Sequence, residues 1–385
     1  MALLKFHSHP DGPKRFSHTD DGSDRSLFAS VFGWVDRAAA HASAVMLPDG
    51  QIFGWAILPT GGMVPLEVVC VAGDDLAFWH LLPEEGGGEE SPDKDHFTVR
   101  TKQAFGGGTV EKLGRLSAGV VGCSGTGSIV AELLARLGIG RLVLVDPDVV
   151  EGKNLSRILN ATKADADARR SKVEVVGRAL SNIGLGTDVA ILAAHLSTPE
   201  AIRAVASCDV VFGCMDGVEG RHVLNRLAAF YLLPYFDVGV RIDADGQGGV
   251  SQLCAAVNYV QPDGSSLLSR GVYTMDDVCA ETIKRTNPHE YASRRREGYL
   301  RGVREDRPAV ISVNALAASH AVNEFLARLH PYRLDPNGEF ARVAVSLTGG
   351  FMLAEPEGAP ENPFASCVGR ADTDPLLQMP ELSRP

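Results

Sequence analysis

The chain has 385 residues, 45% of them hydrophobic and 22% charged, and its formal net charge is -11 at pH 7. This composition is typical of a globular protein of two or three domains, and its negative charge argues against nucleic-acid or anionic-membrane binding through bulk charge. The seven cysteines form no Cys-x-x-Cys pair, which indicates reduced thiols in a cytoplasmic protein. The first residues are too short an apolar run for a signal peptide, and no stretch reaches the ~18 apolar residues of a membrane span.

The first predicted strand carries alternating histidines, in the stretch FHSHPDGPKRFSHTDD. His7 and His9 point to the same side of a strand because its side-chain period is two, and Asp20 comes from the start of the next predicted helix. Two imidazoles and one carboxylate are suited to hold zinc and leave a fourth position for water. The alternative is a polar N-terminal segment without a metal.

The spacing of this stretch, H-x-H-P-x6-S-x-x-D, resembles the motif of JAB/MPN (JAMM) metalloproteases. The resemblance implies that His7, His9 and Asp20 are zinc ligands and that Ser17 donates to an oxyanion. The glutamate that serves as general base in that family lies before the histidines, and none of the six residues before His7 is a glutamate. We therefore expect a truncated or degenerate domain, in which zinc binds but peptidase activity is lost.

Residues 1–82 are predicted to form this partial α+β domain. The segment SDRSLFASVFGWV has the apolar spacing of a helix, and ASAVMLPDGQIFGWAILP contains a Pro-Asp-Gly turn between two apolar runs, typical of a hairpin. PLEVVCVAG is a further predicted strand. Residues 83–96 are acidic and rich in glycine and proline, which predicts a linker.

Residues 97–330 alternate apolar strands with amphipathic helices. SAGVVG, RLVLVD, DVVFGCMD and LPYFDVGV are predicted strands, and SIVAELLARLGIG and SKVEVVGRALSNIG are predicted helices that end at glycine. The alternation predicts a doubly wound, Rossmann-like α/β domain with a mostly parallel sheet. ISVNALAASHAVNEFLARLH is a late helix, and the extension 331–385 carries one strand, ARVAVSL, before a flexible, proline-rich end.

The turn after the first of these strands is rich in glycine. VVGCSGTGS places Gly122, Gly125 and Gly127 between a strand and a helix, where the backbone and the helix N-terminus are suited to bind phosphate. Asp146 ends the next strand, 24 positions after Gly122, where a carboxylate binds ribose hydroxyls. The loop reads G-x-x-G-x-G rather than the dehydrogenase G-x-G-x-x-G, so the loop by itself predicts a nucleotide without identifying it.

The order of motifs over roughly residues 97–330 resembles the ThiF/MoeB/HesA superfamily of ubiquitin-activating-enzyme-like adenylyltransferases. The matching segments are RTKQAFG, the glycine loop, the strand ending at Asp146, NLSR, SKVEVVGRALSNIG and VVFGCMDGVEGRHVLNRLA. The resemblance implies nucleotide-binding roles for Gly122, Gly125, Gly127, Asp146, Asn154, Arg157, Lys172 and Asp216. Because the segment between Arg157 and Lys172 is longer than usual, Lys163 is a rival to Lys172.

The resemblance implies ATP-dependent adenylation of the C-terminal glycine of a ubiquitin-like or sulfur-carrier protein. Negative charge builds on the phosphates in such a reaction, so cations are needed around the triphosphate. Arg157, Lys172 and Arg100 are the candidates, and Asp216 would hold Mg²⁺. An arginine at the position of Arg100 reaches the site of a neighbouring subunit in this family, so we expect a homodimer. No nucleic-acid or membrane partner is expected.

Many members of the family pass the adenylated carrier to a cysteine as a thioester. Cys123, Cys208, Cys214 and Cys254 lie in the glycine loop or in apolar runs and are predicted to be core residues. Cys279 in TMDDVCAETIKR is the remaining candidate nucleophile. Paired cysteines of a structural zinc site are missing, since PDGSSLLSRG has serines and Cys367 stands alone.

Two other classes of function stay open. A nicotinamide-dependent oxidoreductase is disfavoured by the spacing of the glycine loop and by NLSR. A binding protein for ubiquitin-like partners, with both sites decayed, is disfavoured for the second domain by its full set of nucleotide residues and remains open for the first.

Overall fold

The computed structural model describes residues 2–10, 15–34, 40–80, 92–297, 308–358 and 362–382. The chain divides into two units, Met1–Val71 with Leu76–Pro92, and Ala72–Asp75 with Asp93–Pro385. Of the predicted linker, residues 83–91 lie outside the described residues, and a helix begins at Pro92. No helix in the described ranges is long and apolar enough to cross a bilayer.

The first unit is built from short strands and one helix. Its elements are β1 (Leu4–Ser8), α1 (His18–Trp34), β2 (His41–Met46), β3 (Ile52–Ile57), β4 (Met63–Pro65), β5 (Val68–Ala72) and β6 (Leu76–His80). β1 pairs parallel with β2, and β2, β3 and β4 follow antiparallel, while β5 and β6 form a separate two-stranded sheet. The predicted helix and hairpin are confirmed, and Phe28, Val31 and Ile57 form a small core.

The second unit contains the alternating strands and helices. Apart from short 3-10 turns, its elements are α2 (Pro92–Phe105), α3 (Gly107–Arg115), β7 (Ser117–Val121), α4 (Gly125–Leu137), β8 (Arg141–Val145), α5 (Lys163–Asp167), α6 (Lys172–Ile183), β9 (Asp188–Leu192), α7 (Pro199–Ala206), β10 (Val210–Gly213), α8 (Val218–Tyr231), β11 (Tyr235–Ala244), β12 (Val250–Val260), α9 (Met275–Thr286), α10 (Pro288–Arg296), α11 (Ile311–Leu329), β13 (Arg342–Ser346) and β14 (Phe351–Glu355).

One eight-stranded sheet organises this unit, in the order β14-β13-β12-β11-β10-β7-β8-β9. β11, β10, β7, β8 and β9 are parallel, and β12, β13 and β14 add antiparallel strands at one edge. The predicted Rossmann-like doubly wound fold is confirmed. The strand order reverses between β7 and β10, and ligands of such folds bind in the crevice at the carboxyl ends of the strands beside that reversal.

The ends of the helices follow the glycine signals. α4 is followed by Gly138 and α6 by Gly184, both with positive φ in the left-handed region that favours glycine.

The C-terminal segment differs from the expectation of a flexible end. Leu376, Leu377 and Leu382 are buried in the core of the second unit, because this segment covers apolar side chains of α8.

Candidate functional site

The glycine loop after β7 is a tightly packed turn. Gly122 has a φ of 89°, and a Cβ on Gly127 would lie 1.7 Å from the Gly122 carbonyl oxygen. A Cβ on Gly125 would lie 2.0 Å from Nδ2 of Asn314 on α11. Ser124 precedes α4 without a side-chain cap, so the first-turn N–H groups of this helix face the crevice without a capping side chain. The loop therefore has the geometry of a phosphate-binding turn.

The carboxylate of Asp146 holds the glycine loop in place. One oxygen, Oδ2, accepts the backbone N–H of Cys123 at 2.7 Å, and Oδ1 accepts the N–H of Asp148 at 2.9 Å. Burial raises the pKa of the Asp146 carboxyl, and the positive charge of Lys172 opposes that shift. Asp146 thus connects the end of β8 with the loop after β7. Both lie at the crevice where ligands of this fold bind.

Lys172 begins α6 and its side chain is buried. Its Nζ lies 2.7 Å from Oδ2 of Asp148 and 3.7 Å from Oδ1 of Asp146. Lys163 is instead exposed on α5, where it pairs with Asp167 at 2.7 Å. Lys172 therefore lies in the crevice, whereas its rival Lys163 does not.

A cavity of about 800 Å³ opens at these strand ends. Gly122, Asp146, Asn154, Arg157, Lys172 and Asp216 line it, so most of the predicted nucleotide residues are brought together. Its volume lies within the ~300–1,000 Å³ typical of small-molecule sites. A second cavity, lined by Gly125 and Asn314, also includes Ser124, Arg157, Cys214 and Asp216, so the two cavities share these residues.

Asn154 and Arg157 follow β8 in a turn that the local sequence stabilises. Asn154 is buried, and its Oδ1 accepts the N–H of Glu151 at 3.0 Å in a capping box. Arg157 is half-buried and donates to the Lys153 carbonyl at 3.2 Å, and its Cδ lies 3.1 Å from where a Cβ on Gly125 would stand. The turn therefore presents a cation at the glycine loop.

Six carboxylates and four cationic side chains line the first cavity. They are Asp146, Asp148, Glu151, Asp216, Glu219 and Glu281, and Lys153, Arg157, Arg169 and Lys172. Asp216 is exposed after β10 and has no hydrogen bond or ion pair among the residues that the structure describes. It is therefore the carboxylate in this set that is best suited to take a bound cation.

Two predicted catalytic residues do not line this cavity. Arg100 is exposed on α2, where it donates to Gln103 at 3.0 Å. Cys279 is exposed in the second turn of α9, and Glu281 on the same helix reaches the cavity.

The predicted core cysteines divide by burial. Cys123, Cys208 and Cys214 are buried, and burial raises the pKa of all three thiols, that of Cys208 to about 12. The prediction that they are core residues is confirmed. Cys254 on β12 is only half-buried and lines a cavity, so its prediction as a core residue is wrong.

Sequence reasoning missed seven ionisable residues of the cavity: Asp148, Glu151, Lys153, Arg169, His195, Glu219 and Glu281. Only Asp148 could have been found from the sequence, because it is the second acid of Asp-Pro-Asp directly after the predicted strand β8. His195 follows β9, where burial lowers the pKa of its imidazole. Glu219 and Glu281 come from α8 and α9, and the sequence does not show that these helices meet.

The histidines of the first unit converge on Asp20. Nε2 of His7 lies 3.2 Å from Nε2 of His9, and these two atoms lie 3.1 and 3.2 Å from the Asp20 carboxylate. Ligands about 2.1 Å from a tetrahedral zinc ion are about 3.4 Å apart, so the three donors have the spacing that zinc requires. The Ser17 hydroxyl donates to Asp20 at 2.6 Å, and this hydrogen bond, ahead of the two histidines, lowers the pKa of Asp20 to about 2. Ser17 therefore orients the carboxylate in this structure.

The doubly wound sheet, with the glycine loop and the cavity at the reversal of strand order, defines a Rossmann-like α/β domain. A family model, described as the ThiF family, matches residues 99–348. The chain belongs to the ThiF family, and this part of the predicted resemblance is confirmed. The resemblance of the first unit to JAMM proteins stays a prediction.

Curated relatives match parts of the chain. It is 38% identical over 106 residues to mouse "Adenylyltransferase and sulfurtransferase MOCS3", covering 28% of this chain and 23% of that protein. It is 30% identical over 189 residues to "Ubiquitin-like modifier-activating enzyme 5" of Aedes aegypti, covering 46% of this chain and 45% of that protein. The chain thus spans less than half of the length of these relatives.

Solved structures share the fold at low identity. The crystal structure of E. coli MccB with ATP aligns with a TM-score of 0.53 and 18% identity, over 73% of this chain and 76% of that one. The E. coli MccB structure with succinimide aligns with a TM-score of 0.52 and 20% identity.

Proposed function

We propose that the second unit uses ATP and Mg²⁺ to adenylate the C-terminal glycine carboxylate of a ubiquitin-like or sulfur-carrier protein. The observation that carries the proposal is the cavity at the strand reversal, where the glycine loop, Asp146, Lys172 and the exposed Asp216 meet. Support comes from ThiF membership, from relatives named for adenylyl transfer and for activation of ubiquitin-like modifiers, and from an MccB structure with ATP.

The charges of the cavity favour a nucleotide that arrives with a metal. Six carboxylates against four lysine and arginine side chains leave the lining negative, so a triphosphate needs an additional cation. Asp216 would hold Mg²⁺, which would supply positive charge to the phosphate oxygens when bound. Asp146 would bind the ribose, and the first-turn N–H groups of α4 would face the phosphates.

The reaction needs little proton transfer. The carrier carboxylate is already ionised, so its oxygen attacks the α-phosphorus, the bond to the bridging oxygen of the β-phosphate breaks, and pyrophosphate leaves. Arg157 and Lys172 would stabilise the charge that builds on the phosphate oxygens. Asn154 would position phosphate or ribose.

A thioester step would follow on Cys279. The thiolate attacks the acyl carbon of the adenylate, AMP leaves, and the thiol proton goes to solvent. Cys279 is exposed near the cavity-lining Glu281, whereas Cys123, Cys208 and Cys214 are buried. Arg100 lies away from the cavity of its own chain, which agrees with a role at the site of a second subunit in a homodimer.

ATP–pyrophosphate exchange tests the adenylation. We expect exchange in the presence of Mg²⁺ and a glycine-ended carrier protein encoded beside this chain. Absence of exchange with every such carrier contradicts the proposal. Titration with NADH in parallel separates it from the oxidoreductase alternative, since a nicotinamide enzyme would bind NADH in preference to ATP.

We also propose that the first unit binds zinc through His7, His9 and Asp20. The carrying observation is the triangle of donor atoms, all within 4.8 Å of one another. Zinc would act as a Lewis acid on a bound carbonyl or water, while Ser17 orients Asp20. The JAMM-like spacing of the motif supports a role of this unit on ubiquitin-like C-termini, and recognition of the same carrier would join the roles of the two units.

A further inference from the structure

One buried amide in the second cavity has no partner. Asn314 on α11 is only 4% exposed, and its side chain forms no hydrogen bond with any residue that the structure describes. Its Nδ2 lies 2.0 Å from where a Cβ on Gly125 would stand, so the amide lies directly over the first residue of α4. Buried polar groups are almost always hydrogen-bonded, because an unpaired one costs free energy. Asn314 therefore indicates a ligand that supplies the partner.

The groups around this amide are donors as well. Gly125 and Thr126 line the second cavity, and the first-turn N–H groups of α4 have no partner within the helix and no side-chain cap from Ser124. They also carry the positive end of the helix dipole. Nδ2 of Asn314 and these N–H groups only donate, so they do not bond with one another. The partner that fits between them is an acceptor, and a negative charge is favoured there.

Arg221 adds a cation to the same cavity. Its Nε donates to Oδ1 of Asp237 at 2.8 Å, and the hydroxyl of Tyr235 and the amide of Asn258 also donate to this carboxylate. Its two Nη atoms form no hydrogen bond with the described residues, and Nη2 lies 3.4 Å from where a Cβ on Gly239 would stand. Asp237 thus fixes the guanidinium and leaves its two NH₂ groups available to an anion.

The lining of the second cavity suits one carboxylate on an apolar chain better than a row of phosphates. Beyond the residues that it shares with the first cavity, it is largely aliphatic, with Val218, Val238, Val240, Ile242, Val272, Pro308 and Ala309. The charged side chains that it adds are Arg221, Arg241 and Asp277. The first cavity, with its six carboxylates and four cations, is much more highly charged and suits a metal-bound triphosphate.

A third cavity leads from the second across the antiparallel strands of the sheet. The second and third cavities share Arg221, Val240, Arg241 and Val272. The floor of the third cavity is one face of β11–β14, where Gly239, Ala256 and Ala344 lie side by side in register. Small side chains along this row leave room for an extended peptide, and the row ends at Arg221, above Gly239. A peptide that follows it would bring its carboxyl end to the second cavity.

We propose that Asn314, together with Arg221, binds the carboxylate of the peptide chain that attacks ATP. This inference rests on the proposed function and adds the residues that receive its second substrate. The positive end of α4 would then lie between the phosphates in the first cavity and the carboxylate in the second. The two reactants would meet beside Ser124 and Asp216, which line both cavities. Asn314 would accordingly be needed for the peptide and not for ATP.

Peptide binding to the full chain tests the inference without catalysis. The probe is a fluorescein-labelled synthetic peptide that ends in Gly-Gly with a free carboxylate, compared with the same peptide carrying a C-terminal amide. Fluorescence anisotropy is measured in saturating AMPCPP·Mg²⁺, whose α,β-methylene bridge prevents adenylation. We expect the free acid to bind about tenfold more tightly than the amide, because hydrogen bonds to a charged group are the stronger ones. Equal affinities, or no saturable binding of the free acid, overturn the inference.

Variants of Asn314 identify the group that senses the carboxylate. Asn314→Asp replaces the donor by an acceptor of the same shape, so it should weaken binding of the free acid about tenfold and change that of the amide less than about twofold. Asn314→Ala should weaken the free acid about threefold. Asn323→Asp makes the same change at an exposed position of α11 and is the matched control, with both affinities unchanged. Equal losses for both peptides in Asn314→Asp overturn the inference.

Nucleotide binding separates the carboxylate site from the nucleotide site. The affinity for AMPCPP·Mg²⁺ without peptide should change less than about twofold in both Asn314 variants. A larger loss in a folded variant assigns Asn314 to the phosphates and overturns the inference. If the melting temperature shows that Asn314→Asp is unfolded, Asn314→Ala decides by the same criteria. Absence of pyrophosphate exchange alongside carboxylate-dependent peptide binding contradicts adenylation and leaves the carboxylate site standing.

Discussion

The backbone N–H of Cys123 donates to the buried carboxylate of Asp146 at 2.7 Å. This hydrogen bond joins the glycine loop after β7 to the end of β8. The carboxylate has a second partner in the N–H of Asp148, and Lys172 reaches both aspartates. A residue expected to bind ribose therefore also shapes the loop that is expected to bind phosphate.

Substitution of Gly127 should break the loop. The Cβ of Gly127→Ala would lie 1.7 Å from the Gly122 carbonyl oxygen, and backbone cannot yield as a flexible side chain does. We expect a loss of about 3 kcal/mol in unfolding free energy, together with loss of ATP binding. Thermal unfolding and ATP titration measure the two effects. Gly107→Ala is the control, because a Cβ at Gly107 meets nothing within 4 Å, and equal effects of both changes would contradict the prediction.

Asp216→Asn should abolish Mg²⁺-dependent pyrophosphate exchange with little effect on folding. Asp216 is exposed and unpaired among the described residues, so the change removes the proposed metal ligand and no structural contact. We expect a fall of about 100-fold in exchange and an unchanged melting temperature. Asp167→Asn on α5, an exposed carboxylate paired with Lys163, should keep normal exchange.

Lys172→Ala and Lys163→Ala should differ in their effects. Lys172 is buried beside Asp146 and Asp148, so its loss removes a buried cation at the end of β8 and leaves a buried carboxylate with one partner fewer. We expect exchange to fall about 100-fold and stability to fall by about 1–3 kcal/mol. Lys163 is exposed on α5, and its removal should change exchange by less than about twofold. The reverse ranking in exchange assays would transfer the role to Lys163.

Zinc content should depend on the histidines that converge on Asp20. We expect about one zinc per chain in the purified protein and a large loss of bound metal in His7→Ala and His9→Ala, because each change removes one of three ligands. His18→Ala provides the comparison, since His18 is exposed on the same unit and lies outside the cluster. Elemental analysis measures the metal, and equal zinc in all three variants rules out the site.

Acid should destabilise the second unit through Asp165. The Thr162 hydroxyl, followed by Arg178, lowers the pKa of the Asp165 carboxyl to about 2 in the folded state. A lowered folded-state pKa means that the stabilisation is complete above the unfolded pKa of about 4 and is lost as the pH falls toward 2. Allowing for solvent screening, we expect about 1 kcal/mol from this group. Urea unfolding at pH 7 and pH 3 should show a smaller acid loss for Asp165→Asn than for the unmodified chain.

Local sequence determined much of the architecture. Apolar periodicity and glycines located β7, α4, β8 and α6, because a helix or strand buries one repeating face and a helix ends where glycine adopts positive φ. The order of the motifs was enough to indicate the ThiF family. The spacing of His7, His9 and Asp20 was enough to indicate two imidazoles on one side of a strand and a carboxylate at the start of the next helix.

Only the tertiary structure decided which distant groups meet. Lys172 and Lys163 look alike in the chain, and only the packing of α6 at the end of β8 places Lys172 beside Asp146. Glu281 and Val218 lie 63 residues apart, and no local pattern shows that α9 caps α8. The buried C-terminal leucines escaped prediction for the same reason. Burial and hydrogen bonding across the chain depend on how elements pack, whereas periodicity reports only the faces that each element has available.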